Sequence, residues 1–158
     1  MKMDEYIKVK DMTYIEYCDY LQNKYGIGLD DYMTKSYNVK HKCKRTKEGL
    51  VVHHKKEDTM VMLSNKLIAQ NYPFEWQQKE NLVYCDYLEH LLLHVLICKY
   101  PSSEKVDIAK VGVGGVVNFL VPELNDLYCG WITQQEWRKN CHNKIIHDKD
   151  VYMKILKQ

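Results

Sequence analysis

Two stretches of sequence, GLVVHH at residues 49–54 and EHLLLH at residues 89–94, decide how this chain is expected to fold. In the first stretch, residues 50–52 are apolar and rich in valine, and a glycine precedes them. β-Branched residues bounded by a turn signal are typical of a short strand. We therefore expect a strand that ends in two adjacent imidazoles, those of His53 and His54.

The second stretch lies in the most apolar segment of the chain, which predicts a helix over residues 84–100. His90 and His94 are spaced i and i+4 in this helix, so they lie on the same face. This spacing is familiar from metal-binding helices. Because two short segments carry four of the seven histidines, the pattern indicates a metal site beside a general base.

Neutral imidazole can serve as a metal ligand and as a general base, since its unperturbed pKa is about 6.5. Adjacent strand residues project to opposite faces, so one of His53 and His54 can face a metal while the other faces a substrate. Three imidazole ligands favour zinc, or another late first-row metal, over magnesium, which prefers oxygen. His41 and Cys43, close to the strand, are alternative ligands if the zinc is structural.

The order of the motifs GLVVHH, ENLVYC and EHLLLH resembles that of the HNH, or His-Me finger, nucleases of phages and mobile elements. In that family a β-hairpin and one helix hold a single divalent metal. The resemblance implies that His53 and His90 are metal ligands and that His94 is a third ligand or its hydrogen-bonded support. It implies that His54 is the general base and that Asn81 orients it.

One feature departs from the family pattern. The segment between His54 and Asn81 is longer than the usual finger allows, so an inserted helix would have to loop out. This departure weakens the assignment of Asn81, which the residues alone favour as a helix cap for the segment after it. The resemblance covers less than a third of the chain, and we expect the metal finger at residues 49–98.

The remaining elements are predicted from capping signals and periodicity. Residues 13–25 open with a capping box and form an N-terminal helix, and the same signal predicts C-terminal helices over residues 133–157. Residues 59–63 are the expected hairpin partner of the first strand. His142 and His147 are expected at the surface, and the glycine run at residues 112–115 fits a close backbone packing point rather than a phosphate-binding loop.

Composition indicates one soluble α+β domain over residues 1–158, mostly helical around the short hairpin. Hydrophobic residues make up 46% and charged residues 28% of the chain, which is ordinary for globular proteins. We expect a cytoplasmic protein of a bacterial host cell, since the sequence contains neither a signal peptide nor a membrane span. Its cysteines should be reduced, with Cys18, Cys85 and Cys98 in apolar helical stripes.

Two function classes remain open. A metal-dependent DNA endonuclease explains the histidines and the basic run at residues 40–47, although the net charge is only +2. The alternative is a non-enzymatic protein that keeps the zinc finger as a scaffold. The chain as a whole resembles small prophage proteins, some of which are anti-CRISPR inhibitors. That resemblance implies a type II RNA-guided effector as partner, whose DNA binding or cleavage would be blocked.

Overall fold

A pair of short antiparallel strands brings the two histidine-rich stretches together. The structure, a computed structural model, describes residues 1–106 and 110–158. Strand β1 (Val51–His54) pairs with β2 (Leu82–Cys85), so that His53 lies opposite Val83 and His54 opposite Leu82. The predicted strand that ends in two histidines is therefore confirmed.

The predicted hairpin partner, residues 59–63, is wrong. This segment makes a turn in which Met62 has a φ of 59°, a left-handed conformation that is incompatible with a strand. Residues 82–85 pair with β1 instead, and all four are buried. A short strand that is buried on both faces lacks the alternation of polar and apolar residues that identifies half-buried strands.

Helices account for most of the regular structure in the described residues. These helices are α1 (Met3–Val9), α2 (Tyr14–Tyr25), α3 (Lys66–Ala69), α4 (Tyr87–Lys99), α5 (Val113–Gly115), α6 (Val121–Tyr128), α7 (Glu136–Ile145) and α8 (Lys149–Ile155). A π-helical turn (Val116–Leu120) joins α5 to α6. The protein is a small α+β domain. None of the described helices combines the length and the apolar character that crossing a membrane requires.

Helix α4 is central, and most of its residues are buried. It begins three residues later than predicted because Asp86 caps it, accepting a hydrogen bond from the Glu89 amide while the Glu89 side chain accepts one from the Asp86 amide. This reciprocal capping box satisfies two amides at the helix start. It also fixes the point at which β2 turns into the helix, and so the position of the helix relative to β1.

The terminal helices agree with their capping signals to different degrees. Thr13 caps α2 through the predicted capping box with Glu16. The second signal misplaces the start of α7, because the Thr133 hydroxyl accepts a hydrogen bond from the Gln135 amide. Helix α7 therefore starts at Glu136, without a side-chain cap.

The long segment between the strands, residues 55–81, folds as a series of short turns rather than as one inserted helix. It contains 3₁₀ turns at Lys55–Asp58, Phe74–Gln77 and Lys79–Asn81, with the four-residue α3 between the first two. The ends of the segment come together because β1 and β2 are paired. Its turns are thereby held beside the histidines at the end of β1.

Candidate metal centre

His53, His90 and His94 converge, and each offers a ring nitrogen within 4.8 Å of those of the other two. The strand pair places His53 beside the first turns of α4, where His90 and His94 are one turn apart. The Nε2 atoms of these two helical residues are 3.2 Å apart. A buried group of three imidazoles of this kind could hold a metal ion.

Tyr14 determines which nitrogen of His53 is free. Its hydroxyl lies 3.0 Å from the Lys55 carbonyl oxygen, which can only accept, and 2.9 Å from Nε2 of His53. Because the hydroxyl has one proton to donate, it accepts from Nε2–H of His53. The Nδ1 lone pair is therefore unprotonated, and it is buried without a hydrogen-bond partner in the described residues. An unpartnered buried lone pair among imidazoles fits a cation.

Gln77 orients His54 in the same way. The Gln77 amide nitrogen donates to the Leu63 carbonyl oxygen at 3.0 Å, so its oxygen faces Nε2 of His54 at 3.1 Å. Nε2 must carry the proton, which leaves the Nδ1 lone pair of His54 free. The ring packs edge-on against Tyr32, with centroids 4.6 Å apart. His54 thus presents one basic nitrogen in a fixed direction.

Glu57 lies between the two adjacent histidines and α4, and it is not among the site residues predicted from the sequence. Its carboxylate oxygens are 3.6 Å from Nδ1 of His53, 3.8 Å from Nδ1 of His54 and 3.6 Å from Nε2 of His94. These distances are too long for hydrogen bonds. Burial raises the pKa of the Glu57 carboxyl to about 8. No local pattern in the sequence distinguishes it from other acidic residues.

Burial keeps the clustered imidazoles neutral. It lowers the pKa of His54 and of His94 to about 4. The pKa values of His53 and His90 are held well below the ordinary range by burial, with a further contribution from neighbouring histidines. Metal ligation and proton abstraction both need unprotonated nitrogen. At neutral pH these residues are therefore in the form that either role requires.

Two glycines let the chain approach α4 closely, which confirms the packing role predicted for the glycine run. A Cβ atom on Gly115 would lie 2.3 Å from Cε1 of His94, and one on Gly112 would lie 2.7 Å from the His94 carbonyl oxygen. Gly112 also has a φ of 81°, which favours glycine. The His94 ring is thus held in place by backbone on one side.

Asn81 lies in the 3₁₀ turn that precedes β2, where its side chain donates to the Glu75 carbonyl oxygen at 2.9 Å. In the described residues no hydrogen bond joins Asn81 to His54. Gln77 makes the contact with that ring which the family pattern assigns to Asn81. The spacing of residues along the sequence does not identify Gln77, because its position beside His54 depends on how the segment between the strands folds.

A cavity of about 930 Å³ opens onto the centre. Its lining includes His54, Glu57, His90 and His94, together with the glycine run, Trp137 and Arg138. A space of this size can admit part of a substrate. The centre therefore borders an open space and is not closed by protein on all sides.

The other sequence-predicted residues lie elsewhere. Cys43 is buried and its thiol donates to the Lys40 carbonyl oxygen, while His41 is exposed; neither belongs to the group of three histidines. The expectation that His142 is a surface residue is wrong, because it is 4% exposed and its Nε2 lies 2.6 Å from a Glu123 oxygen. Cys98 is exposed rather than buried.

No family model matches the chain, and no curated protein or solved structure is significantly similar to it.

Proposed function

We propose that the protein is a metal-dependent DNA endonuclease of the HNH type, with His54 as its general base and a zinc-class metal on His53, His90 and His94. One observation carries this proposal. His54, whose Nδ1 is unprotonated, lines the same open cavity as His90 and His94, two of the three clustered imidazoles. Phosphodiester hydrolysis needs this combination of a base for water and a cation for the phosphate.

His54 would take a proton from water at Nδ1. Its Nε2–H donates to Gln77, so the ring keeps one tautomer before the reaction, and the same amide oxygen stabilises the imidazolium that forms. When bound, the metal would supply positive charge to the phosphate oxygens and to the leaving oxygen. Tyr14 would hold His53 as a ligand through Nδ1, in the way that hydrogen-bonded partners orient metal-bound imidazoles.

Exposed lysines in a segment that is hydrogen-bonded to Tyr32, a residue of the cavity lining, favour an anionic substrate. Lys42, Lys44 and Lys47 are exposed, and the segment that carries them is joined to the site through Tyr32, whose carbonyl oxygen accepts from the Lys40 amide and whose ring packs on His54. Lysines of this kind bind DNA phosphates without reading sequence. We therefore expect binding that weakens steeply as salt is raised.

Plasmid nicking tests the proposal. His54→Ala should abolish nicking but leave the metal content and the fold unchanged, because His54 is not among the three converging ligands. His147→Ala, which removes an exposed histidine, is the matched control and should nick like the wild type. Nicking that survives His54→Ala, at wild-type metal content, would refute the assignment of the base.

A second candidate function is supported by exposed apolar side chains. Phe119, Trp131 and Ile132 are 64%, 47% and 74% exposed, and large exposed side chains of this type are enriched at protein interfaces. On this proposal the metal only stabilises a scaffold that inhibits a type II RNA-guided effector nuclease. His54→Ala would then leave inhibition of that effector intact, while His90→Ala would lower both the melting temperature and the inhibition.

A further inference from the structure

We propose that Glu57 is a fourth ligand of the metal centre, so that three imidazoles and one carboxylate hold the ion. This inference rests on the metal-binding part of the function proposed above. It assigns a role to a residue that neither the histidine spacing nor the resemblance to HNH proteins includes.

The distances fit a shared ion. Ligand atoms that bind one tetrahedral zinc ion at about 2.0–2.2 Å lie about 3.3–3.6 Å from one another. Oε2 of Glu57 is 3.6 Å from Nδ1 of His53 and 3.6 Å from Nε2 of His94. Nε2 of His94 is in turn 3.2 Å from Nε2 of His90. The Glu57 oxygen thus lies at the separation from the His53 and His94 nitrogens that a common ion would impose.

The tautomer of His53 gives an independent argument. Tyr14 fixes the proton of His53 on Nε2, so the lone pair of Nδ1 faces the Glu57 oxygen. The Nδ1 atom of His53 and the Glu57 oxygen both carry lone pairs that a single cation between them could accept. The contact is therefore not an ordinary ion pair with a protonated histidine, and a metal ion could be held by both atoms.

No other partner in the described residues explains the position of Glu57. Its carboxylate makes no hydrogen bond and no ion pair with lysine or arginine there, and its near neighbours are Nδ1 of His53, Nδ1 of His54 and Nε2 of His94. The adjacent Asp58 differs, because its carboxylate accepts a hydrogen bond from the Thr59 hydroxyl. Glu57 and Asp58 lie in the same 3₁₀ turn, but of these two residues only Glu57 lies close to His53, His54 and His94.

The test is a titration of the full-length chain, freed of metal, with Zn²⁺ and separately with Co²⁺. Glu57→Gln, which keeps the size of the side chain but removes its charge, should weaken zinc affinity by about tenfold or more and change the visible absorption spectrum of the cobalt form. Asp58→Asn is the matched control and should bind both ions like the wild type. If Glu57→Gln does not fold, Glu57→Asp keeps the charge but shortens the side chain, and the same loss of affinity is expected.

The possible results separate this inference from the nuclease proposal. Zinc affinity of Glu57→Gln within twofold of the wild type, together with an unchanged cobalt spectrum, would overturn the role of Glu57 while leaving the three histidines as ligands. A wild-type chain that binds no zinc would overturn the metal centre as a whole. Loss of affinity in Glu57→Gln supports the fourth ligand even if the wild type nicks no DNA, a result that would refute only the nuclease.

Discussion

Gly115→Ala should remove His94 from the metal centre without unfolding the protein. A Cβ atom at this position would lie 2.3, 2.4 and 2.7 Å from Cε1, Nδ1 and Nε2 of His94. Since unbonded heavy atoms prefer about 3.5 Å or more, the ring would have to move by roughly 1 Å. Metal sites tolerate ligand displacements of only about 0.2 Å. The shift therefore exceeds the tolerance severalfold, and His94 would no longer reach the ion.

The fold should survive this substitution. The His94 ring borders the cavity of about 930 Å³, so it has space to turn into, and Gly115 has a φ of −63° that alanine also adopts. Overpacking costs about 1–3 kcal/mol, while alanine in place of glycine in a helix contributes up to about 1 kcal/mol. We expect a net change in the free energy of unfolding of about 2 kcal/mol or less.

Zinc titration and thermal unfolding of the metal-free protein give the two measurements. Gly115→Ala should lower zinc affinity by about 10- to 100-fold, equivalent to about 1.4–2.7 kcal/mol. Gly114→Ala is the control, because the nearest atom to its added Cβ is Nδ2 of Asn118 at 3.8 Å; its zinc affinity should not change. Wild-type affinity in Gly115→Ala, or an equal loss in both variants, would refute the argument that this glycine positions His94.

Three further predictions test the rest of the site. Gln77→Ala should reduce nicking by about 10-fold or more, because His54 loses the acceptor that fixes its tautomer. Asn81→Ala should reduce nicking less. The reverse order in a nicking assay would favour the family's assignment of Asn81. Zinc at 100 times its dissociation constant should stabilise the wild type by about 2.7 kcal/mol in chemical denaturation but not His90→Ala, and equal stabilisation of both would place the ion elsewhere. A thiol reagent should modify the exposed Cys98 and Cys129 of the native protein quickly and the four buried cysteines slowly; rapid reaction of all six thiols would contradict the packing.

The sequence predicts the parts of the site that depend on local spacing. His90 and His94 follow from helical periodicity alone, and the valine-rich run before His53 follows from strand propensity. The partner strand could not be predicted in this way. Residues 82–85 are fully buried and continue directly into the apolar run of α4, so their pattern does not distinguish a strand from the start of a helix.

Glu57 and Gln77 could not be predicted because nothing local distinguishes them from other polar residues. Each acquires its role from contacts between distant parts of the chain. Gln77 faces His54 only because its amide also donates to the Leu63 carbonyl oxygen, and Glu57 faces α4 only because β1 is paired with β2. Any residue can supply the backbone carbonyl that Leu63 offers to Gln77, so the sequence does not reveal this contact.

The length of the segment between the strands was the main objection to an HNH-like site, and the structure gives that segment a function in the geometry. Glu57 lies at its beginning and Gln77 near its end, and both reach the histidines at the end of β1. If the centre binds a metal as proposed, the extra residues supply a carboxylate and an orienting amide to a finger whose strand and helix contribute only imidazoles. The extra length of the segment between the strands and its additional polar groups are then one structural feature. The Glu57→Gln measurement tests the beginning of that segment, and the Gln77→Ala measurement tests its end.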